Sequence, residues 1–124
     1  MKKSEDKLSI QDHLYRMIVP EEILAHFEIE SVEEKEEELL ISLVEKGSSL
    51  PNKDIDLVLN GYFNPLEITS FPVMGKQCYL RLKRRKWKSK HSDDTKIYSN
   101  TYEFTAEGTK ATKKFGTFLK DIGL

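Results

Sequence analysis

The chain has 124 residues, 38% hydrophobic and 33% charged, with 20 Lys/Arg against 21 Asp/Glu for a formal net charge of −1. That length predicts a single domain over residues 8–124 behind a polar tail at 1–7, with one modest core under a heavily solvated exterior. The lone Cys78 excludes an internal disulfide or a multi-cysteine zinc site. With no apolar run near the ~20 residues a bilayer requires and no apolar stretch after MKKSEDKLS to make a signal peptide, the composition points to a cytoplasmic protein with no membrane partner.

Two helices open the domain. Leu8 to Val19 places Ile10, Leu14, Met17 and Ile18 near helical spacing, with Ser9 or Ser4 as cap. Pro20-Glu21-Glu22 starts a second, short helix through Ile23, Leu24 and Phe27, since proline suits the first turn and acids suit the positive end of the helix dipole. The period then changes to two. Phe27, Ile29 and Ser31, and after an acidic turn at 33–38 Leu39, Ile41 and Leu43, predict a β-hairpin. Leu57–Leu59 is a short strand stopped by the Asn60-Gly61 turn pair, and Leu66, Ile68 and Phe71 form another, closed by Pro72 and Gly75. Cys78–Trp87 and Ile97–Phe104 flank a polar loop and predict a second long hairpin. Ala111, Phe115, Phe118, Leu119 and Ile122 describe a C-terminal amphipathic helix capped by Thr109, with its stripe packed on the inner face of the sheet. Gly116 within it costs about 1 kcal/mol relative to alanine. The order gives an α+β fold, with N-terminal helices, about five strands in antiparallel hairpins, and a terminal helix.

Charge is sorted along the chain. Residues 1–60 carry seven Lys/Arg and fifteen Asp/Glu, a net of −8, whereas residues 61–124 carry thirteen and six, a net of +7. Lys76, Arg81, Lys83, Arg84, Arg85, Lys86, Lys88 and Lys90 fall within one stretch free of acids. Such a tract attracts polyanions. Strand alternation turns Leu80 and Leu82 to the core and puts Tyr79, Arg81, Lys83, Arg85 and Trp87 on one solvent face, where cations contact phosphates and the indole stacks on a base. The alternative is a cross-strand ladder in which Arg81 and Lys83 pair with acids while Trp87 caps the edge of the core.

Other candidates carry less. The run Glu33, Glu34, Glu36, Glu37, Glu38 lacks the Gly and Asn/Asp spacing of a cation loop and reads as a solvated turn. His13, His26 and His91 lie on unrelated elements without a metal-binding spacing, and His26 reads as a partly buried structural residue. Cys78 falls on an inward position and reads as an inert thiol. No GxSxG, phosphate-binding loop or paired-carboxylate motif occurs, so no enzymatic activity and no cofactor are expected.

In order, Val19-Pro-Glu-Glu-Ile-Leu-Ala-His-Phe27, Glu67-Ile-Thr-Ser-Phe-Pro-Val-Met-Gly-Lys76, Lys83-Arg-Arg-Lys-Trp87 and Phe115-Gly-Thr-Phe-Leu-Lys-Asp-Ile122 resemble the N-terminal-region proteins of a group of bacterial insertion-sequence transposases. The resemblance covers residues 14–124 and implies an accessory protein of transposition. Its partners would be DNA, at transposon ends, and a separate catalytic transposase subunit that holds the acidic triad. Related transposases carry a zinc ribbon after the basic strand. Here Lys88, Ser89, Lys90 and His91 stand where its cysteines would be, so the resemblance implies a metal-free relative of the ribbon. Implied DNA contacts are Arg81, Lys83, Arg84, Arg85, Lys86 and Trp87, supported by Lys76, Lys88 and Lys90. The rival expectations are a protein-interaction module that docks the transposase, through the acidic half or the C-terminal helix, and an inactive transposon remnant.

Overall fold

A computed structural model describes residues 13–106 and 109–123. The proposed tail at 1–7 and the first part of the first helix lie outside them. The fold is α+β as expected, with helical residues 13–18 (α1), α2 at Glu21–Leu24, seven strands, and α3 at Lys113–Asp121. The strands are β1 (Phe27–Glu34), β2 (Glu38–Glu45), β3 (Leu57–Tyr62), β4 (Leu66–Val73), β5 (Lys76–Lys83), β6 (Arg85–Ser89) and β7 (Ile97–Tyr98). They form two sheets, of order β1-β2-β5-β4 and β3-β6-β7.

The first hairpin forms as its alternation requires, with Phe27 opposite Glu45 and Glu34 opposite Leu39. One pairing departs from a purely antiparallel sheet, because β2 and β5 run parallel at the centre. Leu39, Leu40 and Ile41 of this central strand are all buried, although only Leu39 and Ile41 belong to the core cluster. β4 and β5 join through Met74 (φ 50) and Gly75 (φ 80). Two successive positive φ angles suit the right-handed twist of a tight hairpin. The strand continues past the expected stop at Pro72, which sits at a register irregularity between Ser70 and Val73, where a missing N–H is tolerated.

The core lies on one face of the four-stranded sheet. Leu39, Ile41, Leu43, Ile68, Cys78, Leu80 and Leu82 supply its floor, and Val19, Ile23, Phe27 and Phe104 close it. Fully burying each large side chain is worth about 1.5–3 kcal/mol. Phe27 also meets Phe104 and Tyr102 edge-on, at 5.9 and 5.3 Å between ring centroids. Burial pushes the Cys78 thiol up to about 11, in keeping with the inert thiol expected there.

The lid of this core is therefore α1, α2 and the 102–104 segment, not the C-terminal helix. α3 is capped by Thr112, whose hydroxyl accepts from the Phe115 N–H at 3.3 Å. Thr109 instead ties a turn, donating to the Ala106 carbonyl and accepting from the Ala111 N–H. The 110–112 segment pairs with the edge of β4, which sets α3 beside the sheet rather than across it. Ala111 and Gly116 are buried there, while Phe118 and Ile122 remain 46% and 54% exposed. Gly116 is positional, for a Cβ at this residue would lie 2.4 Å from the Ala106 Cβ.

Candidate nucleic-acid interface

The acidic and basic halves of the sequence meet in the first sheet. β1, rich in glutamate, and β5, rich in cations, both flank β2. Lys83 reaches across to Glu30 at 3.4 Å, Arg81 pairs with Glu67 of β4 at 3.1 Å, and Lys76 binds both Glu34 and the Lys35 carbonyl at 2.7 Å. The Lys76 hydrogen bond and charge hold the Glu34 carboxyl below its ordinary value. Exposed pairs of this kind add little stability and are screened by salt, but they neutralise the cations that form them. The alternative reading of the basic strand, a ladder with acids, thus describes Arg81 and Lys83.

At Arg84 the chain leaves one sheet for the other, so the expected strand from Cys78 to Trp87 is two strands. Along β5 the even positions Cys78, Leu80 and Leu82 are buried. Along β6 the odd positions Trp87 and Ser89 are buried instead, and Lys88 and Lys90 are exposed. The covered side changes because each sheet packs against different neighbours. Arg85 and Trp87, expected in solvent with Arg81 and Lys83, accordingly turn inward. Trp87 pairs with Leu59 and Tyr98 across the second sheet, and its Nε1 is buried with no hydrogen-bond partner among the described residues. A base cannot stack on an indole held this way.

Glu45, at the end of β2, fixes this crossover. It is fully buried. Its Oε1 accepts from the Arg85 N–H at 2.8 Å, and its Oε2 accepts from the Asn100 amide at 2.9 Å and from the Tyr102 hydroxyl. The Arg85 Nε in turn donates to the Glu45 carbonyl at 2.7 Å. Burial, together with the Glu45 contact, raises the Tyr102 phenol well above its ordinary value, keeping it protonated and donating. Arg85 thereby lies 5.6 Å from the Tyr62 ring and 5.8 Å from the Trp87 ring. It belongs to the junction between the sheets.

The outward side of the crossover carries the remaining cations. Arg84 lies 4.6 Å over the Phe63 ring and donates to the Asn100 carbonyl at 3.2 Å, and Lys86 stands 5.1 Å from the same ring. Lys88 and Lys90 follow at alternate positions, so successive charges are spaced by about 6.6 Å along the strand. Among the described residues, no ion pair joins Arg84, Lys86, Lys88 or Lys90 to an acid. Val58 lies opposite Lys88 on one side and Ile97 on the other. Around them is a shallow depression of about 590 Å³, lined in part by Asn60 and His91. Asp94 also borders it, but its carboxylate accepts from the Tyr98 hydroxyl at 2.8 Å and the Lys96 N–H at 3.0 Å. These bonds hold it below its ordinary value.

Of the nine expected contact residues, the fold gathers Arg84, Lys86, Lys88 and Lys90 on one face, engages Lys76, Arg81 and Lys83 with acids, and turns Arg85 and Trp87 inward. Phe63 was not foreseen, since its link to Arg84 depends on the pairing of β3 with β6. His26 is exposed rather than partly buried, with its ring against Tyr102 and its Nδ1 at 3.3 Å from the Ser49 hydroxyl. Among the described residues no cluster of His, Cys, Asp or Glu is placed to hold a metal ion, and no helix is long and apolar enough to cross a membrane. Compared with models of protein families, with curated proteins and with solved structures, the chain matches none.

Proposed function

We propose that this chain is a nucleic-acid-binding protein, an accessory factor of transposition that contacts transposon-end DNA through the outward face of β6 and leaves the chemistry to a separate transposase. The observation that carries the binding reading is the set of four cations, Arg84, Lys86, Lys88 and Lys90, at alternate positions through β6 and the residues on either side of it, to which no acid is paired among the described residues. Elsewhere on the same basic tract Lys76, Arg81 and Lys83 are each matched to a glutamate. Phosphate contacts from such a stripe position a protein on nucleic acid without reading its sequence. The transposition context rests on the family resemblance alone.

Fluorescence anisotropy with a labelled transposon-end duplex over a salt series tests the reading. Four phosphate contacts give a log–log slope of about −3 to −4. An affinity independent of salt would remove the electrostatic basis of the proposal. A docking role toward the transposase is the second reading, favoured by the half-exposed Phe118 and Ile122 of the C-terminal segment.

A further inference from the structure

Resting on the nucleic-acid reading above, we infer that the outer face of the second sheet takes a single DNA strand in preference to a duplex. Lys86 and Lys88 stand at alternate positions of β6, so their side chains leave the strand on one side. Lys90 continues the ladder, its N–H donating to the Asp56 carbonyl at 2.9 Å. Val58 and Ile97 are the cross-strand partners of Lys88, and residues paired in this way share a face. The cations are therefore flanked on their own side by apolar side chains, with Ile97 51% exposed. Val58, Asn60, Lys88, Lys90 and Ile97 all line one shallow depression. Of the nearby acids, Asp94 is engaged by the Tyr98 hydroxyl and the Lys96 N–H, and no ion pair joins Asp56 to Lys90.

Two features favour a single strand. The first is spacing. Alternate side chains on a β-strand are about 6.6 Å apart along a nearly straight line. Each strand of a duplex places a phosphate every ~3.4 Å of axis and winds away from a straight row of charges. An extended single strand has no such constraint and can follow the row with one phosphate per lysine. The second feature is the apolar border. A duplex stacks its base faces out of reach and offers the sheet a polar backbone, against which Val58 and Ile97 gain nothing. Unpaired bases expose faces that lie against apolar and aromatic surface while the backbone follows a basic track.

The probe is an oligothymidylate of about twelve nucleotides, titrated into the full-length protein by anisotropy at one fixed salt concentration. It is compared with the same strand annealed to its complement and with an abasic strand of equal length, which keeps the phosphates and removes the bases. The thymidylate should bind about tenfold tighter than either. Ile97→Ser, at an exposed position, should remove most of that advantage and leave duplex affinity unchanged. The abasic comparison needs no variant, so the test stands even if Ile97→Ser fails to fold. A duplex that binds as tightly as the single strand, or an abasic strand that matches the thymidylate, would overturn the inference while leaving the cationic binding face in place. Failure of all three probes to bind would overturn the nucleic-acid reading as well.

Discussion

Glu45 illustrates how one residue can hold a junction that no motif announces. Its two carboxyl oxygens accept from three donors on two other segments, Arg85, Asn100 and Tyr102. Glu45→Gln places an amide where only acceptors fit, so at least one buried donor loses its partner. The expected cost is about 1–3 kcal/mol, read as a lowered midpoint in urea. Gly116 gives a second residue-scale expectation. Helix propensity alone favours Gly116→Ala by about 1 kcal/mol, yet the new Cβ would lie 2.4 Å from that of Ala106. Overpacking of that kind costs about 1–3 kcal/mol, so the variant should melt at lower temperature than the parent. A higher melting temperature would mean that α3 shifts freely on the sheet. Neither residue was legible as a key position. A glutamate at the end of an apolar strand reads as a solvated terminus, and a glycine in a helix reads as a local weakness, because the neighbours that decide otherwise come from residues about 40 to 57 positions away for Glu45.

Elements with strong periodicity were legible, and their partners were less so. The alternation of Leu39, Ile41 and Leu43, and of Cys78, Leu80 and Leu82, points to the buried face that these residues occupy. Asn60-Gly61 was read as a turn and is instead a bulge within β3, with Gly61 at φ 93 and a register shift between Leu59 and Tyr62. Gly there serves the positive φ of the bulge rather than a chain reversal. The division of the basic strand at Arg84 shows in the sequence as a change of phase, from the even Cys78, Leu80 and Leu82 to the odd Trp87 across the unbroken cationic run at 83–86, but a single tryptophan after the run is too short a pattern to mark a new strand. The amphipathic stripe of α3 was correct as a pattern and wrong as a location, because amphipathicity shows that a face is apolar without showing what covers it. Phe118→Ala should therefore cost only about 1 kcal/mol, whereas Phe27→Ala, at a residue 1% exposed, should cost about 3–5 kcal/mol. Denaturant midpoints for the two variants measured side by side check the contrast. Equal losses would place Phe118 in the core after all.

On the scale of the whole molecule, folding brings the acidic and basic halves of the chain together in the first sheet. Acidic β1 and basic β5 flank β2, and Lys83–Glu30 and Lys76–Glu34 join the two halves, while Arg81–Glu67 forms within the basic half. What folding leaves over is the stripe from Arg84 to Lys90, displaced from the first sheet onto the second by the crossover at Glu45. Which cations of the basic tract meet acids was not legible in the sequence, because that depends on the pairing of β5 with β2 on one side and with β4 on the other. The most direct test sets two variants against each other in DNA binding at low salt. Arg84→Ala/Lys86→Ala/Lys88→Ala/Lys90→Ala should weaken affinity by about 10³-fold or more and flatten the salt slope by about 3 to 4. Arg81→Ala/Lys83→Ala, which removes two cations already paired with glutamates, should change affinity by less than about threefold. A larger loss in the second variant than in the first would contradict the assignment of the binding face to β6.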